Sequence, residues 1–142
     1  MEHVIPIEIS IPGVPVAKGR ARTSTRGGFV RHYTPAKTVS YESTVTAAGR
    51  QAMARRAPLE GALRVDITVG VPIPATWSKA KHAAAMAQTV HPISRPDVDN
   101  YIKAIFDGLN GIAWLDDSQI VPASGCKRYA DAPGVVVSIT AI

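Results

Sequence analysis

One cysteine in 142 residues, Cys126, leaves nothing to pair with, so an internal disulfide framework and any multi-cysteine zinc site are excluded. That scarcity fits a reducing compartment. No apolar run approaches the ~20 residues that a membrane helix needs. The first twenty residues alternate rather than forming a basic end followed by an apolar block, so no signal peptide is expected. The four histidines (His3, His32, His82 and His91) have no metal-ligand spacing. There is no Gly-x-Ser-x-Gly elbow and no Gly-x-x-x-x-Gly-Lys-Ser/Thr loop, which removes the commonest serine-hydrolase and nucleotide-binding signatures. Charged residues make up only 19% of the chain and hydrophobic ones 46%, a globular and not a disordered balance. At this length a single domain can bury its own core.

Acidic residues are missing from one stretch in particular. Between 17 and 37 lie Lys18, Arg20, Arg22, Arg26, Arg31 and Lys37, with no carboxylate among them. Residues 1–61 carry the whole net charge of +5, and residues 62–142 balance to zero. Five of the eleven carboxylates fall between 97 and 117. A basic stretch and an acidic cluster in one small domain suggest a polyanion site beside a metal site. A solvated loop would also account for the basic stretch.

The periodicities predict the elements. Residues 4–11 alternate, with Pro6 near the start or on an edge, and form a strand. Residues 17–33 are a loop or loose hairpin with Gly27-Gly28 at its tip. A helix follows from Pro35 to about Arg56, with Thr34 as its N-cap and Tyr41, Val45, Ala48 and Ala52 on its apolar face. Residues 62–73 alternate as a strand, and Ser78 to about Ala87 suits a short helix. After a proline-containing loop (89–98), a helix runs from Asp97 or Asp99 to Leu109. Residues 118–129 form a strand weakened by Pro122 and Gly125, and 134–142 form the last. Cys126 is expected to be half-buried on its strand, and Trp114 and Phe106 to be core. The order describes one α+β domain over residues 1–142, with a small mixed or antiparallel sheet.

The chemistry concentrates in Arg95-Pro96-Asp97-Val98-Asp99-Asn100-Tyr101-Ile102-Lys103-Ala104-Ile105-Phe106-Asp107-Gly108-Leu109-Asn110. On a helix, Ile102, Ile105, Phe106 and Leu109 make one apolar stripe. Asp99, Lys103 and Asp107 make the neighbouring stripe. Asn110-Gly111 then reverses the chain, so that Asp116 or Asp117 can return toward the helix or a neighbouring strand. Two carboxylates ~5 Å apart repel by roughly 3 kcal/mol at an effective dielectric near 20, so gathering several calls for a cation. Oxygen ligands of this kind suit Mg²⁺ or Mn²⁺, which can activate a water and stabilise a phosphodiester's developing charge. Ordinary structural accounts also exist: Asp97 and Asp99 as N-caps, Asp99 and Lys103 as a surface pair, Asp116 and Asp117 as turn residues. A calcium loop fails at its strict positions, because Ile102 stands where glycine is needed and Gly108 where glutamate is needed.

The run Arg-Pro-Asp-Val-Asp-Asn-x-x-Lys-Ala-x-x-Asp-x-Leu-Asn-Gly, followed by Trp-Leu-Asp-Asp-Ser-Gln-Ile, resembles the RusA-type Holliday junction resolvases. Gly13-Val14-Pro15-Val16-Ala17-Lys18-Gly19-Arg20-Ala21-Arg22 is similar to that family's Gly-x-Pro-x-Pro-Lys-Gly-Arg-Pro-Arg stretch. Ala17 and Ala21 replace common prolines. Thr34-Pro35, Tyr41-Glu42, Cys126-Lys127-Arg128-Tyr129 and Pro133-Gly134 also agree, so the likeness spans nearly the whole chain. It implies a RusA-like α+β domain with a small mixed sheet packed by two to three helices, acting as a homodimer. It implies Mg²⁺, or Mn²⁺, as cofactor and four-way DNA junctions as substrate, nicked symmetrically on two strands. By position, Asp97, Asp99 and Asp117 match the metal-binding aspartates, with Asp116 close enough to assist, and Lys103 matches the essential lysine. Asn100 and Gln119 match motif positions expected to support the ligands from behind. Lys18, Arg20, Arg22, Arg26, Arg31 and Lys37 would grip phosphates. No membrane is involved, and the expected location is the cytoplasm of a bacterial or phage-infected cell. A nuclease for flaps or other branched DNA, or a silent junction-binding module, would carry many of the same features.

Overall fold

Alternation decides the sheet. In the computed structural model, which describes residues 6–19, 22–24, 28, 31–33 and 36–142, strand β1 (Ile7–Pro12) buries Ile7, Ile9 and Ile11 and exposes the residues between them. β4 (Leu63–Pro72) does the same with Leu63, Val65, Ile67 and Val69, and β6 (Gly134–Ala141) with Val135, Val137 and Ile139. A period of two puts each set on one face, and that face is the core. β5 (Ile120–Ala130) completes a four-stranded sheet in the order β1-β6-β4-β5. β1 and β4 both pair antiparallel with β6, while β4 and β5 run parallel, so the sheet is mixed.

Two short strands, β2 (Arg22–Ser24) and β3 (Arg31–Tyr33), pair antiparallel as a separate ribbon, which is the loose hairpin expected there. Pro122 is tolerated because β5 is an edge strand and its pairing with β4 shifts register between Leu63 and Val65. The same edge leaves Cys126 exposed, not half-buried as expected, because its side chain points to the uncovered face of the sheet.

Helices α1 (Ala36–Met53) and α3 (Val98–Leu109) cover the buried face, and α2 (Lys79–Met86) packs beside the end of β5. α1 stops at Met53, short of the expected Arg56, because Ala54 turns into the left-handed region at φ 54. α1 and α3 meet through glycines. A Cβ on Gly108 would lie 2.6 Å from Val45 Cγ1, and one on Gly49 would lie 2.6 Å from Leu109 Cδ2. The Thr46 hydroxyl also donates to the Gly108 carbonyl at 2.7 Å. This approach rotates the buried stripe of α3 toward Tyr101, Ala104 and Gly108, leaving Ile102 and Phe106 partly covered. Trp114 is fully buried and meets Phe106 edge to face at 5.6 Å, as core residues should. The result is one α+β domain with three helices on a mixed sheet. No helix among the described residues is long and apolar enough to cross a membrane.

Candidate active site

α3 is part of the crossover between the parallel strands β4 and β5, and its solvent face carries Asp99, Lys103 and Asp107, all exposed. Asp97 occupies the N-cap position, yet its side chain makes no capping hydrogen bond. Its carboxylate is therefore not used up in holding the helix end. At 1.5 Å per residue, Asp99 and Asp107 stand about 12 Å apart along the axis, with Lys103 midway. α3 thus divides its acids between a head (Asp97, Asp99) and a tail (Asp107).

The tail is flanked from α1. Lys18, in the segment after β1, donates its main-chain N–H to the Asn100 carbonyl at 2.9 Å. Its ammonium reaches Glu42 Oε1 at 2.7 Å and Asp107 Oδ2 at 3.0 Å. The hydrogen bond to Glu42 holds the Lys18 pKa above its usual range, aided by Asp107 against partial desolvation. Lys18 is therefore engaged by two carboxylates. Asn100 works here through its main chain.

On the other side stands the segment after α3. Asp116 caps a 3-10 turn, Asp117–Gln119, by accepting from the Ser118 N–H at 3.0 Å. Hydrogen bonding from the Ser118 side chain, and then from this N–H, holds its carboxyl below the ordinary carboxylate range. Gln119 closes the box by accepting from the Asp116 N–H at 2.9 Å. Its amide also donates to the carbonyls of Leu59 and Gly61, each at 2.9 Å. Gln119 thus fixes the turn against the segment leading into β4. Asp117 accepts the Trp114 indole N–H at 2.7 Å. Partial burial pushes the Asp117 carboxyl up; the indole opposes this, while the charges of Asp107 and Asp116 add to it.

Beside the head of α3 lies a cleft of about 960 Å³. Its lining includes Lys18, Lys37, Arg95, Asp97 and Asn100. Of the basic residues expected on DNA, Lys18 and Lys37 line this cleft. Arg22 and Arg31 lie on the β2–β3 ribbon, whereas Arg20 and Arg26 lie outside the described residues. Arg95 joins them, and sequence reasoning had quoted it only as part of the motif.

The charges of Asp107 and Asp116 act on Asp117. Among the described residues no three acidic or imidazole side chains stand close enough to share an ion. The donor chemistry still fits a hard divalent cation. Every candidate ligand is a carboxylate, and the charges crowding Asp117 are of the kind a cation relieves. Glu42 and Asp107 were missed as site residues. The i, i+4, i+8 stripe already marked Asp107, and Glu42 stood in the family-like Tyr41-Glu42 pair, but no spacing joins Glu42 to Asp107, since α1 brings it from far away in sequence.

An α+β domain with an Asp-Lys-Asp helix face opening beside a basic cleft has the parts of an enzyme acting on phosphodiesters. Residues 12–140 match the family described as Endodeoxyribonuclease RusA, and the protein belongs to that family. The uncharacterized protein YqaN of Bacillus subtilis (strain 168) is 35% identical over 135 residues, 94% of each chain.

Proposed function

We propose that this protein is a Mg²⁺-dependent endonuclease that resolves four-way DNA junctions, acting as a homodimer and nicking two strands symmetrically in recombination and repair. The observation that carries this reading is the exposed Asp99–Lys103–Asp107 face of α3, with a basic cleft at the helix head. Asp97, Asp99 and Asp117 are the proposed ligands for Mg²⁺ or Mn²⁺, whereas Asp107 is held by Lys18 at the other end of α3. Asp116 assists by fixing the turn. A divalent ion held by these carboxylates would supply Lewis-acid stabilisation and activation of a water at neutral pH.

The chain's own residues do the rest. Lys103 offers a positive charge between the two acidic ends, where a scissile phosphate carries its negative charge. Lys37 and Arg95 hold the strand in the cleft, and Arg20, Arg22, Arg26 and Arg31 are further phosphate contacts in this reading. Lys18 ties Glu42 of α1 to Asp107 of α3. A junction has two symmetric cutting points, so a two-fold dimer supplies one site to each.

A nicking assay on a synthetic four-way junction tests the reading, with a flap and a linear duplex as comparators. Wild type should give paired symmetric nicks on the junction with Mg²⁺ and none with EDTA. Tight junction binding with no cleavage in Mg²⁺ or Mn²⁺ would defeat the nuclease reading. Faster cutting of the flap would defeat the junction preference.

A further inference from the structure

The segment between α2 and α3 is held at many points, yet it presents one large apolar side chain to solvent. Both the N–H and the hydroxyl of Thr89 donate to the Ala84 carbonyl, each at 3.0 Å. The Gln88 amide donates to the Tyr129 carbonyl of β5 at 3.3 Å. Pro92 is buried, and the Ile93 N–H closes a three-residue turn onto the His91 carbonyl at 3.0 Å. Beyond the turn, the Lys127 ammonium donates to the carbonyls of Ser94 at 2.9 Å and Pro96 at 3.0 Å. In the middle of this scaffold Ile93 is 92% exposed, more than any other large hydrophobic side chain among the described residues.

A lone exposed apolar residue is ordinary. Ile93 differs in its setting. Arg95, two residues on, lines the basic cleft, and Asp97 lies four residues on. Four residues span at most about 14 Å, which is roughly four nucleotide steps along a strand. The loop is already ordered, so presenting the side chain to a ligand costs little further conformational entropy. A rigid apolar prong beside a cationic phosphate track suits entry between base steps, which it unstacks. Base pairs at a branch point have lost a stacking neighbour, so they yield most easily.

We propose that Ile93 is a wedge that inserts at the branch point of the DNA junction and sets the preference for branched over linear DNA. The proposal rests on the junction-nuclease reading above. Its test uses the full chain and a four-way junction carrying 2-aminopurine at the branch, without divalent metal, so that binding is read apart from cutting. Wild type and Ile93→Leu should raise the 2-aminopurine emission several-fold. Ile93→Ser should not, and its junction-over-duplex binding preference should fall about tenfold with unchanged melting temperature. Val121→Ser, which removes another exposed apolar side chain at the start of β5, should behave as wild type. Wild-type emission and preference in Ile93→Ser would overturn the wedge while leaving the nuclease reading intact. Emission changes lost in Ile93→Ser, in a protein that never cuts, would support the wedge and overturn the nuclease.

Discussion

Asp117 is the residue on which site chemistry and stability pull in opposite directions. Its carboxyl is pushed up, first by burial and then by Asp107 and Asp116, so the fold binds its proton more tightly than the unfolded chain does. Stability from this group is fully present below the unfolded pKa near the ordinary 3.8 and is lost as pH rises through the higher folded value. Asp117→Asn keeps an oxygen for the Trp114 indole and removes the charge. It should melt at or above the wild-type temperature at pH 7 without metal, and the difference should vanish below pH 4. The same variant should lose at least about a hundredfold in nicking rate and lose any Mg²⁺-induced rise in melting temperature. Calorimetry across pH, with and without Mg²⁺, reads both effects. Lys18 gives a second contrast. Its ammonium already serves Glu42 and Asp107, so Lys18→Met should slow nicking while leaving the salt dependence of DNA binding unchanged. Lys37→Met or Arg95→Met should reduce the slope of log affinity against log salt by about 1.

Among the elements, the α1–α3 contact fixes where Glu42 stands relative to Asp107. A Cβ on Gly108 would meet Val45 Cβ at 2.7 Å and the Glu42 carbonyl oxygen at 3.1 Å, and neither a branched side chain's root nor backbone can step aside cheaply. Gly108→Ala should cost about 1–3 kcal/mol in urea denaturation. Gly125→Ala should cost less, because the obstacle is the far end of the Ile102 side chain. The strands were legible because alternation in β1, β4 and β6 has no competing period. α3 was legible as an amphipathic helix, but its buried stripe was read some way round from its true position. Ala104 and Gly108 carry little hydropathy, and their smallness is what lets α1 approach. The motif aspartates and Lys103 could be picked out from sequence, whereas the Lys18–Glu42–Asp107 cluster could not. Its three members come from three elements, and no local pattern encodes that meeting. Cys126 was misjudged because sequence does not say which strand is an edge or which sheet face stays open.

For the molecule as a whole, the proposed homodimer predicts a sedimentation mass near twice the 15.0 kDa of one chain. Mixing wild type with Asp99→Asn should then produce heterodimers that nick a junction once and leave it unresolved, which denaturing and native gels separate. The order β1-β6-β4-β5 has a further consequence, for the timing of synthesis. β6 comes after every other described element, yet it sits between β1 and β4 and, among the described residues, is the strand that pairs with β1. On a ribosome, β1 waits for residues 134–141 before it has any neighbour in the sheet. α1 packs on β1, and Glu42 rides on α1, so the Lys18–Glu42–Asp107 cluster has no firm support until then. Such long-range closure is slow compared with local helix formation. The sheet of this domain therefore closes around a strand that is made after the other three.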